Sequence, residues 1–596
     1  MRNAATVLGI IRHRGTRGLP LEQVYRQLYN RDLYVRAYGR ISRNHGAMTR
    51  GATHETADGM ALAKIDAIIE ALRYERYRWT PVRRVRIPKK DGTTRPLGLP
   101  TWSDKLLQEV VRSILEAYYE PQFRPSSHGF RPGRGCHTAL KEIERVWSGT
   151  VWWVEGDISK CFDRLDHQVL LSILGERIRD NRFLRLIAAL LKAGYLEDWR
   201  YHESLSGVPQ GSIVGPILSN LYLDRLDHYV ENTLLPAYTR GERRRIYPPY
   251  RALLVKASSL RRAGNHQAAK ALRKEMQTLP SGDPNDPGYR RLRYLRYADD
   301  FLLGFAGPRH EAEEIKGHLT SFIRDALKLE LSEAKTLITH GRTQAARFLG
   351  YELTVHACDT KHSKSGARSI NGRVALNVPR SVVEAKCQPY LRAGKPVHRP
   401  ERLHASVFSL MEQYQAEYRG IVQYYQMSQN LHRFSKLKWV METSLLKTLA
   451  AKLRLSVSQV VRKYQTTLQT TAGPYKGFQI VVEREGKRPL TAHWGGIPLQ
   501  RQHSAWLVEV PALVWNTRTE LEERLLANTC ELCGSQERVS IHHIRRLKDL
   551  HQPGTRDKPQ WAKTMAARHR KTLAVCQSCH TKIHAGRYDG PRVRRT

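Results

Sequence analysis

Acidic residues are scarce in this chain: its 596 residues hold 56 Asp+Glu against 99 Lys+Arg, a formal net charge of +43. A surplus of that size repels itself unless a polyanion compensates it, so nucleic acid is the expected partner, with a membrane surface as the other polyanion available. Long apolar runs are missing as well. None approaches the roughly 18 residues of a membrane span, and the opening MRNAATVLGIIRHRG has too short an apolar stretch for a signal peptide. A cytoplasmic protein without a membrane partner is expected, most simply in bacterial cytoplasm or nucleoid. Cysteine is sparse too. Only eight are present, four of them as C-x-x-C pairs after residue 529, which excludes a secreted disulfide scaffold and points to a metal knuckle. No internal repeat or low-complexity tract occurs.

Hydrophobic residues make up 41% of the chain, enough for packed cores, and the length suggests about four domains. Residues 1–85 are expected to be helical, because Leu21, Val24, Tyr25 and Leu28 recur at helical spacing, as do Ile65, Ile68, Ile69 and Leu72. Residues 86–100 (RIPKKDGTTRPLGLP) read as a positively charged hairpin tip, followed by a helix from about Asp104 to Tyr119 that Pro121 stops. The run VWWVEGDI at 151–158 predicts a buried strand ending at Asp157. Residues 292–306 (LRYLRYADDFLLGFA) predict two strands joined by a tight turn at Ala298–Asp300. Between them, residues 240–296 form a basic insertion with 15 Lys+Arg against 4 Asp+Glu, expected to be helical in its middle and to contact RNA. A helical pattern returns over 401–464, where Tyr414, Tyr418, Tyr424, Tyr425, Phe434 and Trp439 lie among Lys and Arg. That mixture suits either stacking on nucleic-acid bases or the core of a bundle. Strand-like runs follow (FQIVVE and AWLVEVP), then a polar helix near 518–527.

Two groups of residues carry chemistry. Asp157, Asp299 and Asp300 lie where predicted strands meet turns. Neighbouring strands run about 4.8 Å apart, so pairing them crowds carboxylates that repel unless cations sit between them. The alternative for each Asp alone is a turn or cap residue. Taken together they suit two-metal phosphoryl transfer, in which Mg²⁺ activates a 3′-hydroxyl and stabilises leaving pyrophosphate. The second group is C-terminal. Cys530, Cys533, Cys576 and Cys579 match tetrahedral thiolate zinc spacing. His580 and His584 stand at i and i+4, on one face of a helix. His542 can complete a second metal site with them, leaving His543 free to deprotonate a water.

The flanking residues add a resemblance. YADD at 297–300 and EGDISKCFD at 155–163 resemble the metal-binding motifs of reverse transcriptases, and GVPQGSIVGPILSN at 207–220 resembles their template and nucleotide-positioning motif. RIPKKDGTTRPLGLP resembles the fingers and RFLGYEL (347–353) the primer grip. With YGRISRNHGAMTRGATHETADGM (38–60), SHGFRPGRGCHTAL (127–140) and YRGIVQYY (418–425), the chain resembles group II intron-encoded proteins, the reverse transcriptase–maturases. The Cys/His segment resembles an HNH (ββα-metal) endonuclease, except that no Asn occurs between His543 and His584, so Thr572 or another polar residue must orient the loop.

The resemblance implies an α+β multidomain fold: a right-hand polymerase of fingers, palm and thumb, a helical thumb and maturase domain, and a small zinc-bound HNH domain. The implied divisions are 1–85 (N-terminal helices), 86–370 (fingers and palm, with the insertion at about 240–290), 371–510 (thumb and maturase), 511–527 (DNA-binding linker) and 528–596 (nuclease). It also implies residue roles. Asp157 and Asp299 are direct Mg²⁺ ligands with Asp300 in support; Lys89 and Arg95 hold the triphosphate. Phe162 excludes a 2′-hydroxyl, Gln210 lies beside the nucleotide, and Lys335 helps pyrophosphate leave. In the nuclease, His543 is the general base and His542, His580 and His584 hold a divalent ion. The implied partners are group II intron RNA in a lariat ribonucleoprotein, double-stranded target DNA and dNTPs. The implied function is RNA-directed DNA synthesis with splicing and target-strand nicking; a non-enzymatic maturase and a homing endonuclease are the alternatives.

Overall fold

The computed structural model describes residues 2–587 apart from 90–91, 205, 209–210, 359–360, 364–369, 471–472, 485, 506, 508–517, 551–558 and 569. Gln210, most of the AWLVEVP run and the first part of the 511–527 segment therefore lie outside the described residues.

Helices Ala4–Thr16, Arg31–Ile41 and Leu62–Arg73 gather around the long helix Trp102–Tyr119. Asn3, Asn30 and Thr101 cap three of these by accepting a bond from a first-turn N–H. Apolar residues spaced every three or four positions supply the core, including Ile65, Ile68, Ile69 and Leu72. The expected helix through Leu21 and Leu28 is shorter: only Val24–Gln27 is helical. Gln23 is left-handed (φ 52°), and Leu21–Glu22 pairs instead with Ile178–Arg179 as a short parallel strand. Helical spacing alone did not register that reversal.

The positively charged hairpin forms from Val82–Pro88 and Thr94–Leu99 and extends into a sheet with Tyr195–Glu197 and Arg200–His202. Behind it stands an antiparallel sheet in the order Ile338–His340, Trp152–Asp157, Asp300–Ala306, Arg291–Tyr297. Its two central strands are buried along nearly their whole length, as their apolar, β-branched and aromatic sequences require. The turn of the Arg291–Ala306 hairpin is Ala298–Asp299, one residue tighter than expected, and Asp300 already belongs to the second strand.

The basic insertion is a helical hairpin rather than a single helix. Pro248–Arg262 and His266–Met276 break at Gly264 (φ 78°), and Asn265 caps the second by accepting from Ala268 N. Beyond the sheet Ala346–Phe348, Tyr351–Val355, Val374–Asn377, three helices (Val407–Tyr424, Phe434–Leu453, Val457–Tyr464) pack on strands Gln465–Thr470, Gly473–Arg484 and Lys487–Trp494. Here the rings are core. Tyr414, Tyr418, Phe434 and Trp494 are buried, Tyr425 nearly so and Tyr424 partly, whereas Trp439 alone of that set is largely exposed.

The C-terminal region is a hairpin, Ser540–His543 with Thr572–Val575, followed by helix Gln577–His584. It is not a loose appendage: Val539, Ile541, Ala574 and Leu525 belong to the same buried cluster as the N-terminal helices. No helix among the described residues is long and apolar enough to cross a membrane.

Candidate functional sites

The central sheet brings the acidic residues together. Asp157 stands directly opposite Asp300 in register, with Asp299 at the adjoining turn. Burial, then the charge of Asp299 and a hydrogen bond with Asp157, push the Asp300 carboxyl up to about 7. Burial and the nearby Asp157 also raise Asp299, with Arg95 and Lys335 opposing. Neighbouring carboxylates that raise one another in this way suit hard divalent cations, whose charge removes the repulsion. Lys335 Nζ lies 2.9 Å from Asp157 Oδ2, and that hydrogen bond raises the ammonium's own pKa.

The turn is held by residues outside the YADD motif. Arg296, fully buried, spends all its donors: Nε and Nη2 donate to Asp227, Nη1 to Asn220 Oδ1 and to Ala298 O (2.8 Å), and Nη2 to Ser127 Oγ. Ala298 itself is left-handed (φ 56°). A side chain at Gly129 would approach Ala298 N to 2.4 Å, so the SHGFRPGRG segment seats against the turn only as glycine. A second tie runs through Glu155, which accepts from Thr339 Oγ1 and from the backbone of Arg347 in the RFLGYEL segment.

Lys89 and Arg95 stand exposed on the fingers hairpin. Arg95 is near enough to bear on both Asp299 and Asp163. Phe162 lies half-buried in the short helix Cys161–Arg164, its ring edge-on to Phe130 at 6.3 Å. Its carbonyl accepts from Val208 N at 2.7 Å, and Leu165 O accepts from Gly207 N, so residues 207–208 are held against this helix.

In the C-terminal hairpin the four thiols converge, with Cys533 and Cys576 sulfurs 3.6 Å apart and all four within 4.8 Å. Thiolates about 2.3 Å from one tetrahedral ion would be separated by about that much, so the set fits zinc. The imidazoles converge beside them. His580 Nε2 lies 3.2 Å from His542 Nδ1 and 3.1 Å from His584 Nε2, and Ser540 Oγ fixes His580 from behind through Nδ1 at 2.8 Å. Among them stands Asp58, a carboxylate absent from the sequence-based site. Burial pushes its carboxyl up, but hydrogen bonds from His542, His580 and the His543 N–H outweigh burial and hold it well below the usual range.

His543 is buried, and its Nε2 lies 2.6 Å from Tyr38 OH. Burial pushes its imidazole down to about 4, so it is neutral near pH 7. Thr572 sits opposite His543 in register, yet its hydroxyl accepts from Arg524. The hydroxyl on the ring is Tyr38's, 505 residues away in sequence, which no local pattern could reveal. Asp58, an acid in a short basic stretch that ends Asp-Gly, was the more visible of the two.

A palm sheet with Asp157 paired opposite Asp300 beside Asp299, a helical thumb and a ββα hairpin with clustered Cys and His define a reverse transcriptase joined to an HNH endonuclease. Family models agree: "Reverse transcriptase (RNA-dependent DNA polymerase)" matches residues 87–353, "Type II intron maturase" 378–480 and "AI2M/AI1M-like, HNH endonuclease" 530–580. The group II intron-encoded protein LtrA of Lactococcus lactis subsp. cremoris is 39% identical over 588 residues, covering 94% of this chain and 95% of that one. The 91 kDa protein in the cob intron of Schizosaccharomyces pombe is 33% identical over 582 residues, covering 94% and 69%. A solved telomerase from Candida albicans superposes only distantly, at 13% identity and a TM-score of 0.31 over 66% of this chain and 63% of that one.

The chain belongs to the group II intron-encoded proteins. It is a multifunctional enzyme with reverse transcriptase, maturase and HNH endonuclease parts, and enzymes of both catalytic classes work with divalent metal ions.

Proposed function

We propose that the chain copies RNA into DNA at a site where Asp157 and Asp299 hold two Mg²⁺ ions with Asp300 in support. Bound there, the metals would activate the primer 3′-hydroxyl and stabilise the leaving pyrophosphate. Lys89 and Arg95 bind the incoming triphosphate from the fingers, and Gln210, which lies outside the described residues, takes the nucleotide-positioning role of the motif it belongs to. The Phe162 ring fills the space a 2′-hydroxyl would need, and Lys335 supplies charge to the departing pyrophosphate. The observation that carries this reading is the pairing of Asp157 opposite Asp300 beside the Asp299 turn.

In the C-terminal domain the four thiolates hold structural zinc, and His542, His580 and His584 hold the divalent ion of the nuclease. That ion would stabilise the scissile phosphate and leaving oxygen. His543 then removes a proton from water through Nδ1, which requires that its Nε2–H donate to the Tyr38 oxygen. Tyr38 is thus a positioning residue standing in for the Asn this chain lacks.

The partners follow from the same parts. Intron RNA binds the thumb and the net-positive insertion helices, splices with the protein's help, and stays bound as a lariat ribonucleoprotein in the bacterial cytoplasm. At double-stranded DNA the RNA reverse-splices into one strand. The HNH domain nicks the other, and dNTPs extend the freed end. Two measurements test this reading. Sequencing the RNA that copurifies should recover one intron; a random transcript population contradicts it. Nicking of a target plasmid by the ribonucleoprotein should be lost in His543→Ala while primer extension continues; equal nicking contradicts the base assignment.

A further inference from the structure

The nuclease centre is lined from two distant parts of the chain. Gly59 N donates to Ile541 O (3.0 Å) and Ile541 N donates to Met60 O (2.8 Å), so the N-terminal segment adds a bridge to the edge of the Ser540–His543 strand. Helix Arg31–Ile41 meets helix Glu520–Ala527 so closely that a side chain at Gly39 would lie 1.8 Å from Glu522 Oε1. This docking carries Asp58 into the imidazole cluster. Its Oδ2 lies 2.8 Å from His584 Nε2, and its Oδ1 lies 3.2 Å from His580 Nε2 and 3.3 Å from His542 Nδ1.

Four of the separations among these three nitrogens and Asp58 Oδ1 are 3.1–3.3 Å, the edge lengths of a small tetrahedron, and the whole set lies within 4.8 Å. With bonds of about 2.0–2.1 Å, such a tetrahedron surrounds one zinc-like ion. A catalytic site keeps one position open for substrate, whereas four protein ligands close it. The approach to this position is a cleft between the N-terminal segment and the nuclease hairpin, where Arg50, Arg83 and Arg545, with one acid, Glu55, line the same space as His543, His584 and Asp58. The three guanidinium groups suit a phosphodiester, and of the two metal-side groups on this cleft, Asp58 and His584, only the carboxylate is an anion that a phosphate can replace like for like.

We propose that Asp58 is an exchangeable fourth ligand of the nuclease metal, presented from the N-terminal segment, and that a DNA phosphate enters the site by displacing it. The exchange swaps one singly charged oxygen ligand for another, so the charge around the ion is conserved. The nuclease is closed until DNA fills the cationic cleft, which ties nicking to target engagement. This inference rests on the reading of His542, His580 and His584 as metal ligands.

The test uses the full chain with its thiolate site already loaded with zinc. Co²⁺ is titrated into wild type, Asp58→Asn and His580→Ala, following heat and the visible d–d bands. Asp58→Asn keeps the side chain's shape and an acceptor for the His543 N–H, so folding is preserved. Expected is a loss of Co²⁺ affinity of tenfold or more in Asp58→Asn, on the order of what removing supporting metal interactions costs, and a change in band shape. Adding a 20-base-pair duplex to wild type should convert its spectrum to that of the Asp58→Asn complex with the same duplex. Wild-type affinity and spectrum in Asp58→Asn, with binding lost in His580→Ala, would overturn the role of Asp58 alone. Unchanged binding in His580→Ala would overturn the ligand triad on which it stands.

Discussion

Arg296 and Asp227 form an ion pair in which neither side chain has any solvent exposure, their Nη2 and Oδ2 atoms 2.6 Å apart. The same guanidinium holds Ala298 O, so the pair fixes the left-handed turn that presents Asp299. Removing one partner of such a pair strands a buried charge, at a cost of about 3–5 kcal/mol. Arg296→Met should lower the thermal unfolding midpoint and abolish primer extension together. Arg296→Lys should not restore either, because a single ammonium cannot reach Asn220, Ser127, Asp227 and Ala298 at once. Wild-type unfolding in Arg296→Met would contradict the account.

Acid and magnesium should compete for the palm. Asp300, pushed up to about 7 from an ordinary 3.8, keeps a proton in the folded metal-free protein that the unfolded chain has lost. Its contribution to metal-free stability is therefore present below the ordinary value and lost as pH rises through 7. Mg²⁺ must displace that proton, so the Mg²⁺-induced rise in melting temperature should be larger at pH 8 than at pH 6. An equal or reversed shift in differential scanning fluorimetry would count against a shared site.

Much of this architecture was legible in the residues. An apolar run ending in Asp157 and a YADD between two apolar runs read as strands that end at acids, and they fold so. C-x-x-C spacing read as a thiolate cluster, and the sulfurs converge. What escaped depends on distance along the chain or on burial. In RLRYLRY, strict alternation puts Arg296 on the face of Leu292 and Tyr294 rather than with Arg291 and Arg293, and it is among the most buried residues present; its charge masked that signal. Tyr38 and Asp58 matter only because the N-terminal segment docks on a hairpin about 500 residues later. Gly264-Asn265 did carry a helix break and cap signal; a long basic stretch masked it.

Sugar discrimination should soften without Phe162. The half-buried ring stands edge-on to Phe130 in the short helix that follows Asp157, and on the proposed reading a smaller side chain opens room for a 2′-hydroxyl. Phe162→Ala should raise the ratio of ribonucleotide to deoxynucleotide incorporation by on the order of tenfold or more. An unchanged ratio in single-nucleotide extension would remove Phe162 from that role.

Stripping zinc should separate the two enzymes. The small C-terminal cluster around Cys530, Leu532, Cys576 and Cys579 is a modest core, and metal binding to such domains supplies much of their folding free energy. A strong thiophilic chelator should expose the 530–587 region to protease and abolish nicking, while primer extension on RNA persists. Retained protease resistance would mean that the thiolates are not holding structural metal.

Mg²⁺-dependent extension of a DNA primer on an RNA template, compared between wild type and Asp299→Asn at saturating dNTP, addresses the catalytic claim most directly. The account predicts that the variant folds with wild-type helical content and loses extension by a factor of about 10²–10³, as loss of preorganised charge at a reacting centre does. A variant extending at the wild-type rate would contradict it.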